Sequence, residues 1–250
     1  MFVSAIDYDQ FMGRYSKPLA HEFARFAGVE PDSTALDVGC GPGALTDELV
    51  RILGPGSVHA IDPSAEFVEA VRNRHPGVEV QVSTAEAMPY SANRFDATLA
   101  QLVVHFMSDP VGGLAEMKRV TRSGGSIAAC VWDFTRDQTP LTVFWDAALS
   151  LNPNIETEVS MPGAREDDLS NLFAAADIQD ITADTISVDV DHRSFDEWWE
   201  PFTLGVGPAG SYVASLAPAE RETLRGAARD RLPEGPFKLT CRAWAVRGRA

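Results

Sequence analysis

The sequence predicts an α/β fold built on a mostly parallel sheet, and three observations carry that prediction. From residue 34 to residue 133, short apolar runs bounded by Gly, Pro or Asp alternate with stretches of helical periodicity. The first run passes straight into a glycine-rich turn, Gly39-Cys40-Gly41-Pro42-Gly43, that opens a helix. Later runs end on polar or turn-forming residues, which strand–helix–strand alternation brings to one common edge of the sheet.

Taken in order, Asp7 to Gly28 reads as a helix, with Leu19, Phe23 and Phe26 as its apolar stripe and Pro18 tolerated in a first turn. Its leader, Tyr8-Asp9-Gln10-Phe11-Met12-Gly13-Arg14-Tyr15, is aromatic and carries one conspicuous cation. Two readings stand: an amphipathic flap over apolar surface, or a lid in which Arg14 or Tyr15 meets an anionic ligand group. Thr34 to Val38 is a short buried strand. The missing side chains at Gly39, Gly41 and Gly43 let a ligand lie against the backbone, and the amides opening the helix Ala44 to Leu53 favour polar or anionic groups. Asp37, at the strand end, offers a partner to a cationic amine.

Val58 to Ile61 is the second strand, ending at Asp62-Pro63-Ser64, and Ser64 caps the helix that follows to His75. One strand–helix–strand unit after the turn, Asp62 emerges at the same edge, where a carboxylate can accept both hydroxyls of a ribose. Val78 to Ser83 and Phe95 to Gln101 are the third and fourth strands, the latter placing Gln101 beside the ligand. A helix from Pro110 to Thr121, a turn at Ser123-Gly124-Gly125 and a fifth strand from Ile127 to Trp132 complete the alternating part. The spacing Gly39-x-Gly41-x-x-Ala44 also satisfies the dinucleotide fingerprint, although Asp37 would repel a pyrophosphate.

The stretch Leu36 to Gly43 resembles the first motif of the class I S-adenosylmethionine-dependent methyltransferases, in particular the small-molecule, type 11-like domain. The resemblance implies that this loop wraps the methionine end of the cofactor while Asp37 meets its amino group. Asp62 is similar to the acid of the second motif. Ser83-Thr84-Ala85-Glu86-Ala87-Met88-Pro89-Tyr90 resembles the segment that holds adenine, departing from it at Thr84, where the family usually has Asp. The cofactor residues so implied are Arg14, Tyr15, Asp37, Gly39, Cys40, Gly41, Asp62, Pro63, Thr84, Ala85, Glu86 and Gln101. The fold implied is a Rossmann-like, seven-stranded, mostly parallel sheet with a reversed last strand and a small helical lid.

Beyond residue 133 the rhythm breaks. Phe134 to Arg165 reads as an excursion with a helix from Thr139 to Leu151. A helix (Asp167 to Ala176), a strand (Ile181 to Val190), two helical pieces within Phe195 to Leu232 and a final strand (Phe237 to Val246) follow. The expected organisation is one domain, 1–250, with a cofactor core at 34–133, a flap at 1–28 and lid excursions at 134–165 and 195–235. Trp132, Phe144, Trp145, Trp198, Trp199, Phe202 and Tyr212 either line an apolar acceptor pocket or fasten a lid helix to the sheet. His105, following the fourth strand, is the candidate base, and Asp133 binds or deprotonates an acceptor or else caps a turn.

A formal net charge of −15 and the lack of any basic block argue against nucleic acid and anionic membranes as partners. Cys40, Cys130 and Cys241 are odd in number and widely spaced, as in reduced, packed thiols of a cytoplasmic protein. No metal is expected, because Asp133 alone does not make a ligand set. The expected activity is methyl transfer from S-adenosylmethionine to a small, partly apolar metabolite, oxygen being the favoured acceptor atom, by a monomer or homodimer. A nicotinamide-dependent oxidoreductase and a non-catalytic cofactor-binding subunit are the alternatives.

Overall fold

A computed structural model describes residues 4–135 and 138–250. Residues 1–3 of the expected flap and 136–137 of the first excursion lie outside the described residues. Seven strands form one sheet in the order β3-β2-β1-β4-β5-β7-β6. They are β1 (Ala35–Val38), β2 (Val58–Asp62), β3 (Glu79–Val82), β4 (Phe95–Gln101), β5 (Thr121–Trp132), β6 (Gln179–His192) and β7 (Phe237–Arg249). β1 to β5 pair in parallel, whereas β7 runs antiparallel to both β5 and β6.

The central strands are short because both faces are covered. All four residues of β1 are buried, and so is most of β4, which is what a parallel strand between two helix layers requires. On one face pack α2 (Arg14–Ala27), α3 (Ala44–Leu53) and α4 (Ala65–Arg74), through Leu19, Phe23, Leu45, Leu49, Val68 and Val71. On the other lie α5 (Pro110–Val120) and α7 (Asp168–Ala175), through Leu114, Met117, Leu169 and Phe173. β6, at the sheet edge, alternates instead: Ile186, Val188, Val190 and His192 are buried while Ser187, Asp189 and Asp191 are exposed.

Two local outcomes differ from the sequence reading. The glycines after α5 do not separate helix from strand, because β5 begins at Thr121, directly after α5. The extra residues form an irregularity in the pairing, with Phe95 opposite Thr121 and Ala97 opposite Ser126. Gly125 sits there because a Cβ would meet the Asp96 carbonyl oxygen at 2.8 Å. The leader, for its part, is not one regular helix. A four-residue α1 (Ala5–Tyr8), capped by the Ser4 hydroxyl, passes through a π-turn at Asp9–Gly13 into α2. Over the sheet edge, α6 (Thr142–Leu151), α8 (Phe195–Trp199), α9 (Gly207–Ser215) and α10 (Pro218–Arg229) make up the excursions. The second of these thus holds three α-helical pieces where two were expected.

Candidate active site

The C-terminal ends of β1, β2, β4 and β5 meet beneath a cavity of about 680 Å³. The sheet register makes this meeting unavoidable, since Asp37 lies opposite Ala60 on β2 and Leu99 on β4, and Gln101 lies opposite Cys130 on β5. Ligands bind at this edge in open α/β sheets because chain reversal leaves a crevice there. Leader residues Tyr8, Phe11, Met12 and Ser16 form one wall, and Val206 to Ala209 contribute another.

Gly39, Gly41 and Gly43 all take positive φ, at 69°, 52° and 102°. The two that matter at the cavity differ in kind. A Cβ on Gly39 would lie 2.6 Å from both methyl carbons of Val103, whereas nothing lies within 4 Å of one on Gly41. Gly39 is thus required by packing, and Gly41 leaves bare backbone beside the space. The turn amides are less available than the sequence suggests. Those of Gly39 and Cys40 donate to the Ile61 carbonyl, that of Gly43 to the Cys40 carbonyl, and that of Gly41 to Asp62 Oδ2 at 2.8 Å.

Asp37 and Asp62 both face this cavity. Asp37 is buried and accepts from the Thr46 hydroxyl at 2.6 Å. Desolvation lifts its pKa to about 7, a rise that the Thr46 bond opposes and that the nearby Asp62 charge assists. Asp62 is also held above the usual carboxylate range by burial, against the pull of the Ser64 and Gly41 amides that donate to its two oxygens. Two carboxylates so placed are poorly solvated until a cation or hydroxyl donors arrive. Ser64 is the cap of α4, accepting from the Phe67 amide, so Asp62 is free of that role.

Pro63, Thr84, Ala85, Glu86 and Cys40 line the same cavity. Glu86 also pins the loop after β4, accepting from the Ser108 amide and hydroxyl and the Asp109 amide. Gln101 donates to the Ser16 carbonyl at 2.9 Å, which joins β4 to the leader helix, and its Oε1 has no protein partner. His105, on a 3₁₀ turn after β4, is buried in the lining with Nδ1 unpartnered. Desolvation lowers its pKa to about 3, so the ring is neutral at ordinary pH and able to accept a proton-bearing group without repelling a cation.

Three groups of expected site residues lie elsewhere. Arg14 and Tyr15 do not line the cavity. Arg14 Nη1 donates to His192 Nδ1 at 2.9 Å, which leaves Nε2–H to donate to Tyr15 Oη at 3.0 Å. They fasten the leader helix to β6, and His192, stacked on Phe237, is a core residue. Asp133 is fully buried outside the cavity, accepting from the Thr135 amide and hydroxyl and lying 3.3 Å from Arg242 Nε, so of its two readings the turn cap is the one observed. Of the seven aromatics, only Trp132 reaches the lining. Phe144 stacks on Phe202 with centroids 4.6 Å apart, and Trp198, Trp199 and Tyr212 complete a cluster that fastens the excursions together.

The sequence reading did not find Glu158, whose residue is only 4% exposed and which lines the cavity with Oε2 unpartnered. Burial raises its pKa to about 7, partly opposed by the Trp145 side chain. It stands in a polar, aperiodic stretch, Asn154 to Ser160, where no pattern distinguishes it from Glu156. Tyr8, Phe11, Met12 and Ser16 were legible only as a flap. Among the described residues, no group of three or more His, Cys, Asp or Glu is placed to hold a metal ion, and no helix is long and apolar enough to cross a membrane.

A crossover sheet with a reversed β7, a glycine turn and an acid near the end of each of the first two strands together make up the fold of the class I methyltransferases. Comparison with known proteins agrees: residues 36–129 match the family model "Methyltransferase domain", so this part of the chain is similar to the class I S-adenosylmethionine-dependent methyltransferases. It is 29% identical over 148 residues to a ubiquinone/menaquinone biosynthesis C-methyltransferase of Hahella chejuensis, covering 55% of this chain and 59% of that one. It is 33% identical over 124 residues to a malonyl-[acyl-carrier protein] O-methyltransferase of Erwinia billingiae, covering 50% and 48%. The solved structure of a geranyl diphosphate C-methyltransferase from Streptomyces coelicolor shares the fold, with a TM-score of 0.55 at 15% identity over 95% of this chain and 80% of that one. Matches to the curated relatives span 30–59% of their length.

Proposed function

We propose that the chain transfers a methyl group from S-adenosylmethionine to a small, partly apolar metabolite, with oxygen the favoured acceptor atom. The observation that carries this reading is the pair Asp37 and Asp62, flanking one bare backbone turn and facing one cavity. The residues present fit the cofactor: a buried carboxyl raised in pKa calls for a cationic amine, and a second, at the next strand end, suits a diol. When bound, the donor supplies a methyl group already activated by a positively charged sulfur. Asp37 then holds the amino-acid end, Asp62 the ribose, and Thr84 and Ala85 the adenine edge, with Gly41 and Cys40 forming the backbone floor.

The chain's part in the reaction is to align the acceptor and exclude water, which is where most of the barrier reduction for such a transfer comes from. Phe11, Met12, Phe106, Phe134 and Leu141 give the cavity its apolar walls. Neutral His105 accepts a hydrogen bond from the acceptor. In this reading the chain works as one domain, with 34–133 as the cofactor core, 1–28 as the flap and 134–165 and 195–235 as the excursions that shape the acceptor side. Both C- and O-methyltransferases occur among the relatives, so the acceptor atom follows from the cavity and not from kinship.

Isothermal calorimetry with S-adenosylhomocysteine and, separately, NAD tests the cofactor. Binding of the former at micromolar levels and not the latter is expected, and the reverse overturns the reading. Transfer of labelled methyl groups into a metabolite extract then separates an enzyme from a cofactor-binding subunit.

A further inference from the structure

The cavity lining holds a buried carboxyl that the cofactor residues do not use. Glu158 supplies it from the 3₁₀ turn Glu158–Ser160, after α6 and far in sequence from the glycine turn. A buried carboxylate costs several kcal/mol unless it is paired or protonated. Little in the fold offsets that cost at Glu158: the Trp145 side chain opposes it only in part, Oε2 is without a partner, and no ion pair to Glu158 forms among the described residues. The Trp132 Nε1 and His105 Nδ1 atoms, also buried in the lining, are likewise unpartnered. Four carboxylates, Asp37, Asp62, Glu86 and Glu158, face the cavity, and no Lys or Arg lines it among the described residues.

We propose that Glu158 is the acceptor-binding carboxylate, selecting an apolar molecule whose reacting end is a hydroxyl or amine and rejecting anionic acceptors such as carboxylates and phosphate esters. This rests on the methyltransferase reading and supplies its substrate class. An anion entering here meets carboxylates and no Lys or Arg of the described chain, whereas a hydroxyl or ammonium satisfies an oxygen left bare. The same contact serves the chemistry. As the acceptor oxygen or nitrogen forms its bond to the methyl carbon, the donor's sulfur–carbon bond breaks with its electron pair retained on sulfur. The proton released from the acceptor passes to the Glu158 carboxylate. A carboxyl whose pKa is raised to about 7 by burial is matched to that task near neutral pH.

The test uses three probes with one apolar body, 2-phenylethylamine, 2-phenylethanol and 3-phenylpropanoate, titrated calorimetrically into the full chain with and without saturating S-adenosylhomocysteine. The amine and alcohol are expected to bind at least tenfold more tightly than the carboxylate. Glu158→Gln, which keeps the shape, is expected to weaken the amine at least tenfold, to narrow its advantage over the carboxylate and to leave S-adenosylhomocysteine affinity unchanged. Thermal unfolding confirms that the variant is folded. Equal binding of the three probes, binding of none, or an unchanged amine-to-carboxylate affinity ratio in Glu158→Gln overturns the proposal. Failure of S-adenosylhomocysteine to bind the wild-type chain overturns the methyltransferase reading instead, and the probe order on the cofactor-free chain still decides the role of Glu158.

Discussion

Asp37 is predicted to destabilise the cofactor-free protein at the pH where it is most useful to it. Its pKa rises from 3.8 to about 7 on folding, so between those values the native state holds a proton that the unfolded chain has released. Stability therefore falls as pH rises through that window. A shift of about 3 units corresponds to at most about 4 kcal/mol at pH 8, at roughly 1.4 kcal/mol per unit. Asp37→Asn keeps the shape and an oxygen for the Thr46 hydroxyl but carries no charge. It is expected to raise the melting temperature at pH 8 by up to about 8–16 °C, taking roughly 2–4 °C per kcal/mol for a chain of this size, and the gain should shrink steadily as pH falls from 7 toward 4. Affinity should move the other way, with S-adenosylhomocysteine binding at pH 8 weakened roughly 10- to 100-fold through loss of a charge-assisted bond. Thermal denaturation and calorimetry across pH 4.5–8.5 measure both. A variant no more stable than wild type at pH 8, or a gain independent of pH, refutes the reasoning.

Other outcomes follow from the same geometry. Gly39→Ala places a methyl 2.6 Å from Val103 at positive φ, so it should lower the melting temperature more than Gly41→Ala, which meets open space and should instead weaken S-adenosylhomocysteine binding. Nitrogen-15 NMR of the ring should show His105 neutral down to about pH 4; since its pKa is lowered on folding, it withdraws stability as pH falls below about 6.5. Tyr15→Phe should cost about 1 kcal/mol of stability through the lost bond to His192 and leave cofactor affinity unchanged, where a ligand-contact role would lower it. Phe202→Ala should destabilise by about 3–5 kcal/mol in urea denaturation, because its ring sits inside the excursion cluster.

The strand-end side of the cavity was legible because backbone physics constrains it. A turn at the end of β1 needs glycines, and an acid that ends β1 or β2 can point only to the crevice, so Asp37, Gly41 and Asp62 could be placed from order alone. The strand and helix bounds in 34–120 follow from the same alternation. The acceptor half was not legible. Arg14 and Tyr15 were expected at a ligand because an exposed-looking cation and phenol in a leader suggest one. What decides their role is His192, 177 or more residues away, and long-range pairing leaves no local pattern. The aromatic residues of the excursions failed in the same way: composition reveals that Phe144 and Phe202 are apolar anchors but not whether they face each other or a ligand. Glu158 was invisible because an aperiodic loop gives no inside and outside.

One wall of the chamber is built from residues 8–16, and its polar ties include the Ala5 amide to Glu66 at 3.1 Å, Lys17 to Asp9 at 2.8 Å and Asp9 to Arg74 at 3.7 Å, with the edge contact of Tyr8 on Phe67. The segment behind it is anchored more firmly, at Arg14 and Tyr15. Parting residues 4–13 from the rest would uncover Phe11 and Met12 and break the edge contact of Phe11 on Phe202, so an apolar seam, more than the polar ties, keeps this wall in place.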